Sequence, residues 1–83
     1  MKINVKVKEH NKETVVINTD FIQLQSFLKF KGISETGGQA IEFIQDGIIR
    51  VNGEVCTARG KKLRGGDVVS AFGTDYEIVN ENK

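Results

Sequence analysis

Two short stretches hold the residues whose types and spacing suit chemistry, and both suit anions. Thr36-Gly37-Gly38-Gln39 stands ahead of an apolar run at helical spacing, so it opens a helix whose first amides carry no side-chain bulk. Backbone N–H groups at the positive end of a helix dipole make a phosphate site. The same two glycines serve equally well as a tight entry turn, which needs conformational freedom and no ligand. Further along, Thr57-Ala58-Arg59-Gly60-Lys61-Lys62-Leu63-Arg64 packs the four cations Arg59, Lys61, Lys62 and Arg64 into six residues. Arginine forks hold phosphate oxygens in pairs, and lysines add undirected attraction. Lys29 and Lys31 end the first helical pattern, where a cation also suits the helix dipole on structural grounds alone.

Catalytic groupings are harder to find. The single histidine, His10, falls among charged residues in a predicted turn, with no second histidine or cysteine nearby to make a metal site. Cys56, the single cysteine, reads as a small apolar residue beside Val55 and has no histidine to activate it. Glu42 and Asp46 stand one turn apart on the second helix, a spacing that more often marks a solvated face than an acid/base pair. No glycine-rich run ends in Gly-Lys-Ser/Thr ahead of a helix. The inventory predicts a non-enzyme that uses neither metal nor cofactor.

With 83 residues the chain makes one small domain, 39% hydrophobic and 28% charged, and therefore globular rather than disordered. No apolar run exceeds three residues, far short of the roughly 20 that a membrane span needs. Met1 to Lys6 alternates and contains no apolar core of a secretory signal, so a cytoplasmic protein is expected. A lone cysteine excludes an internal disulfide framework. The net charge of +1 conceals a basic centre: from Arg50 to Gly66 five cations face one anion, Glu54, a net +4. Such a centre suits docking to a polyanion.

The elements that must position these residues follow from periodicity. Ile3, Val5 and Val7 alternate with polar residues, Glu9 to Lys12 supplies a turn, and Thr14 to Ile17 is a second β-branched run. These predict an N-terminal β-hairpin over residues 1–18. Thr19 or Asp20 is placed to cap a first helix carrying Phe21, Leu24, Phe27 and Leu28 inward, with Gly32 to end it. A second helix from Thr36 carries Ala40, Ile41, Phe43 and Ile44 to Gly47. Ile49 to Val51 and Glu54 to Cys56 flank Asn52-Gly53, a strong hairpin signal. Gly60 to Gly66 is a basic loop, and strands at Val68–Phe72 and Tyr76–Val79 enclose a turn at Gly73-Thr74-Asp75. The five phenylalanines, Phe21, Phe27, Phe30, Phe43 and Phe72, fall mostly on apolar faces and are expected in the core. A basic surface without interleaved aromatics favours phosphate and shape recognition of folded RNA over single strands. The expected class is α+β, a helical hairpin on an antiparallel sheet.

Phe27-Leu28-Lys29, Gly32-Ile33, Thr36-Gly37-Gly38-Gln39-Ala40, Gly47, Val51-Asn52-Gly53-Glu54, Arg59-Gly60-Lys61-Lys62-Leu63 and Gly66-Asp67-Val68 stand in one order. That run, from about Phe21 to Phe72, resembles the S-four RNA-binding domain, named for the fourth protein of the small ribosomal subunit. More narrowly it is similar to the small stand-alone YaaA/YbcJ-type bacterial members. The resemblance implies the alpha-L motif, a helical hairpin packed on a bent antiparallel sheet over residues 19–83, with the N-terminal hairpin of residues 1–18 as an addition to the same domain. It also implies that the second helix start and the basic loop face RNA. The positions this assigns to RNA are Lys29, Thr36, Gly37, Gly38, Gln39, Arg50, Arg59, Lys61, Lys62 and Arg64, and Lys31 joins them as a neighbouring cation. Val51-Asn52-Gly53 would then be the structural hairpin and Asp67 the residue fixing the next turn. Two of the family's usual polar contacts are absent, for Thr36-Gly37 stands in place of Ser-Arg and Gln23-Leu24-Gln25 in place of Arg-Leu-Asp.

The expected function is a monomeric, translation-associated module binding structured RNA, ribosomal or transfer, through phosphate and shape contacts. The rival readings are a protein-interaction accessory that uses the edge of the N-terminal hairpin and a binder of small phosphate ligands at Gly37-Gly38.

Overall fold

The computed structural model describes residues 11–81. In chain order these form β1 (Asn11–Ile17), β2 (Ile22–Gln23), α1 (Leu24–Phe30), α2 (Gly37–Gln45), β3 (Arg50–Val51), β4 (Glu54–Val55), β5 (Lys62–Leu63), β6 (Val68–Ala71) and β7 (Thr74–Asn80). The class is α+β, as expected: two helices pack on a multi-stranded sheet.

The main sheet runs β1-β7-β6-β3-β4, and β2 pairs with β5 in a second, two-stranded sheet. Period-two burial sets its register. Val15 and Ile17 of β1 are buried while Val16 between them is exposed, and Val15 lies opposite Ile78 of β7. This β1–β7 pairing is parallel, whereas β7–β6, β6–β3 and β3–β4 are antiparallel. The strands of the motif, β7, β6, β3 and β4, are antiparallel as expected, and only the edge strand β1 makes the sheet mixed. Between β1 and β7 the chain passes through the helices, the crossover that a parallel pair requires. Asn11 and Lys12, expected in a turn, already belong to β1. Ile3, Val5, Val7, Glu9 and His10 of the expected N-terminal hairpin lie outside the described residues.

Both helices turn their apolar faces to one core, in which Leu24, Phe27, Leu28, Ala40 and Ile44 meet Ile49, Leu63, Val69 and Ile78. Phe27 is fully buried and packs edge-on against Tyr76, ring centroids 5.6 Å apart. Gly32 ends α1 at φ +75, where its missing side chain avoids the left-handed penalty, and the Ile33 and Ser34 amides donate to the Leu28 carbonyl. Ile41 and Phe43 are only half-buried. Two other aromatics depart from expectation: Phe30 is 63% exposed and Phe72 is 64% exposed. Phe72 sits at φ 50 in the turn between β6 and β7, with Gly73 beside it, so that turn falls earlier than Gly73-Thr74-Asp75. A turn residue has no sheet face to bury, and Phe72 is left resting edge-on against Phe43 at 5.2 Å. Among the described residues no helix is long and apolar enough to cross a membrane.

Candidate nucleic-acid interface

The basic loop is held by its backbone. Leu63 is fully buried in the core, which turns its neighbours Lys62 and Arg64 outward. Lys62 and Leu63 form β5, paired antiparallel with Gln23 and Ile22 of β2, so the segment expected as a plain loop contains a strand. Just before it, the Arg59 carbonyl accepts from the Gln25 amide at 3.1 Å and the Lys61 carbonyl accepts from the Leu24 amide at 2.8 Å. Those amides open α1, and the two carbonyls stand in for the side-chain cap expected from Thr19 or Asp20. The N-cap is Gln23, which makes no side-chain capping bond. Four first-turn donors need acceptors in any helix, and here two of them find the basic loop.

Beyond β5 the carboxylate of Asp67 continues the scaffold. It accepts from the Arg64 amide at 2.8 Å and from the Asn52 side-chain amide at 3.1 Å. Asn52 also accepts from the Val68 amide at 3.0 Å. Asn52 and Gly53 stand at φ 54 and 86, the left-handed pair that a two-residue hairpin between β3 and β4 needs. One residue thus ties the hairpin tip to the end of the basic loop.

Among the described residues Lys29, Arg50, Arg59, Lys61, Lys62 and Arg64 make no ion pair. Lys31 differs, since its ammonium lies 3.1 Å from Glu13 of β1 and 6.0 Å from the Tyr76 ring centroid. The Arg50 guanidinium leans on the Gly53 carbonyl at 3.3 Å. Lys62 and Arg64 converge on one aromatic ring, with Lys62 Nζ 4.9 Å and Arg64 Cζ 5.6 Å from the centroid of Phe21. Phe21 precedes β2 rather than lying in α1, and it is half-buried. Sequence reasoning placed it in the core, because an aromatic one helical turn ahead of Leu24 looks the same on paper as one on an adjoining strand.

The second candidate stretch rests on a different element. Thr36 caps α2, its hydroxyl accepting from the Gln39 amide at 3.0 Å, and Gln39 Oε1 accepts from the Glu35 amide at 2.6 Å. Both side chains are therefore committed to the helix start, where Gly37 and Gly38 are exposed. Neither Gly37 nor Gly38 has a positive φ. A Cβ built on Gly37 meets nothing within 4 Å, and one on Gly38 meets only the Thr36 hydroxyl at 4.0 Å. The entry turn does not need these glycines. The structure gathers Arg59, Lys61, Lys62 and Arg64 along β5 and its approach, while Lys29 stands in the last turn of α1 and Gly37-Gly38 at the start of α2.

A family model described as the S4 domain matches residues 15–79, wider than the run that carries the resemblance in sequence. "Probable ribosome maturation protein RlbA" of Bacillus subtilis (strain 168) is 38% identical over 68 residues, covering 80% of this chain and 94% of that protein. "Putative RNA-binding protein YbcJ" of Escherichia coli (strain K12) is 36% identical over 58 residues, covering 70% of this chain and 83% of that one. Because the match takes in both helices and reaches from β1 into β7, the chain belongs to the S4 domain family.

Proposed function

We propose that the protein is a non-catalytic module that binds structured RNA, ribosomal or transfer, as a monomer. It does so by phosphate and shape contacts from Arg59, Lys61, Lys62 and Arg64, aided by Lys29, Lys31, Arg50 and the α2 start at Thr36, Gly37, Gly38 and Gln39. The observation that carries this reading is a row of cations on a backbone-pinned segment that make no ion pair among the described residues. Fixing like charges side by side costs stability, and a polyanion repays that cost, since its own condensed counter-ions are released as the cations neutralise its phosphates. The glycines of α2 add to it: their side-chain-free amides are not required by the fold, and close approach of a phosphate is a use for them. Relatives named for RNA binding and for ribosome maturation support the same partner class.

The test is fluorescence anisotropy with a folded ribosomal or transfer RNA, a matched DNA duplex and a single-stranded RNA, each at two salt concentrations. Tighter, salt-dependent binding to the folded RNA is expected. No preference over DNA, or a protein partner that survives nuclease treatment in its place, would overturn the reading.

A further inference from the structure

Glu54 is the single anion between Arg50 and Gly66, and the fold gives it nothing to do. It is exposed and makes no ion pair among the described residues. Cross-strand pairing of β3 with β4 sets Glu54 opposite Val51, so both belong to one face of the hairpin. The β3–β4 hairpin and the segment before β5 border an open groove of about 460 Å³, lined by Val51, Glu54, Val55, Thr57, Ala58 and Lys61 among others. Its size falls within the roughly 300–1,000 Å³ of small-molecule sites. Glu54 and Lys61 line the same groove without forming an ion pair among the described residues, so the carboxylate and the ammonium do not engage each other.

We propose that this groove holds one unpaired guanine base of the bound RNA, a reading that rests on the RNA-binding function argued above. A carboxylate amid phosphate-binding cations repels the RNA backbone, so its favourable partner there is a hydrogen-bond donor. Guanine is the base whose Watson–Crick edge offers two adjacent donors, N1–H and N2–H, to match the two oxygens of one carboxylate. Beside them lies the acceptor O6, the kind of atom a lysine ammonium recognises. Glu54 takes the donors, Lys61 faces O6, and the exposed Ala58 on the groove wall supplies apolar surface for the ring. RNA is commonly read in this way, through unstacked bases engaged on their edges.

The test uses an RNA hairpin whose uridine loop carries a single guanosine, compared with the same hairpin carrying inosine, adenosine or deoxyguanosine there. Inosine lacks only the N2 amino group, and deoxyguanosine lacks only the ribose hydroxyl. The native protein is expected to bind the guanosine hairpin about tenfold more tightly than the inosine or adenosine hairpin, and deoxyguanosine nearly as well as guanosine. In Glu54→Gln the guanosine preference should fall to about twofold or less while overall binding is kept or tightened. Ala58→Leu, which fills the groove without touching a charge, should erase the preference and keep the salt dependence. Equal binding of all four hairpins by the native protein overturns the pocket and leaves the RNA reading standing. So does equal tightening for all four in Glu54→Gln, which makes Glu54 an edge-strand charge, or a deoxyguanosine loss matching that of inosine, which assigns the carboxylate to ribose. If no hairpin binds in a salt-dependent way, the RNA reading fails and the pocket with it.

Discussion

The backbone amide of Leu24 donates to the carbonyl of Lys61 at 2.8 Å, so the first turn of α1 is capped by the basic segment itself. The cation side chains at 59–64 take no part in that bond. They can be altered without removing what holds the segment in place.

Charge reversal at Arg59, Lys61 and Lys62 to Glu is therefore expected to abolish RNA binding and leave the circular dichroism spectrum of the native fold. Single changes to Gln should flatten the plot of log affinity against log salt by roughly 0.7–0.9 per lost phosphate contact. A folded triple variant with native affinity would remove this surface from consideration. Lys31→Ala is the useful contrast. Its ammonium is already engaged by Glu13, so the smallest change in affinity is expected there, with a stability change of about 0–1 kcal/mol.

Phe21 orders two of the cations by offering its ring to both. Exposed cation–π contacts are worth about 0.5–1 kcal/mol each. Phe21→Leu keeps an apolar body and discards the ring quadrupole, so it should weaken RNA binding several-fold with little change in melting temperature. The two are separated by measuring anisotropy and thermal unfolding on the same sample. Unchanged affinity would mean that Lys62 and Arg64 need no aromatic support.

Asp67 joins the β3–β4 hairpin to the end of the basic segment, and Asp67→Ala strands the Arg64 amide and the Asn52 side chain together. Hydrogen bonds to a charged group contribute about 1.5–3 kcal/mol each, and because both partners are partly solvated the lower end is expected. Urea denaturation should show that loss. Amide hydrogen exchange should quicken at residues 64–68 before it does in β7.

Gly37→Ala with Gly38→Ala separates fold from function at the α2 start. Both added methyl groups have room, and helical alanine is favoured over glycine by roughly 0.5–1 kcal/mol, so the double variant should melt higher. If phosphate approaches these amides, RNA affinity should drop at the same time. A more stable variant with unchanged affinity would free this turn from the interface.

Local signals made a good part of this arrangement legible. Thr36 caps α2, Gly32 ends α1, and Asn52-Gly53 makes the β3–β4 turn where residue chemistry said they would, because each depends on a hydrogen bond or a φ value within a few positions. The start of α1 was not legible in the same way. Thr19 and Asp20 are good caps, but the acceptors at that helix start are carbonyls some 35 positions downstream, at Arg59 and Lys61. Phe30 and Phe72 misled for a related reason: apolar character predicts a buried face only where the element has a neighbour to bury it against.

From the sequence alone came the α+β class, the helical hairpin, the basic centre and the family resemblance. All four are written in residue type and spacing, and periodicity or motif order reads them without knowing what lies across the core. The tertiary structure decided that β1 runs parallel to β7 and that Lys62 and Arg64 share the ring of Phe21. Each of these joins residues far apart in the chain. Such pairings depend on which surfaces the collapsed core leaves adjacent, and no local pattern carries that information.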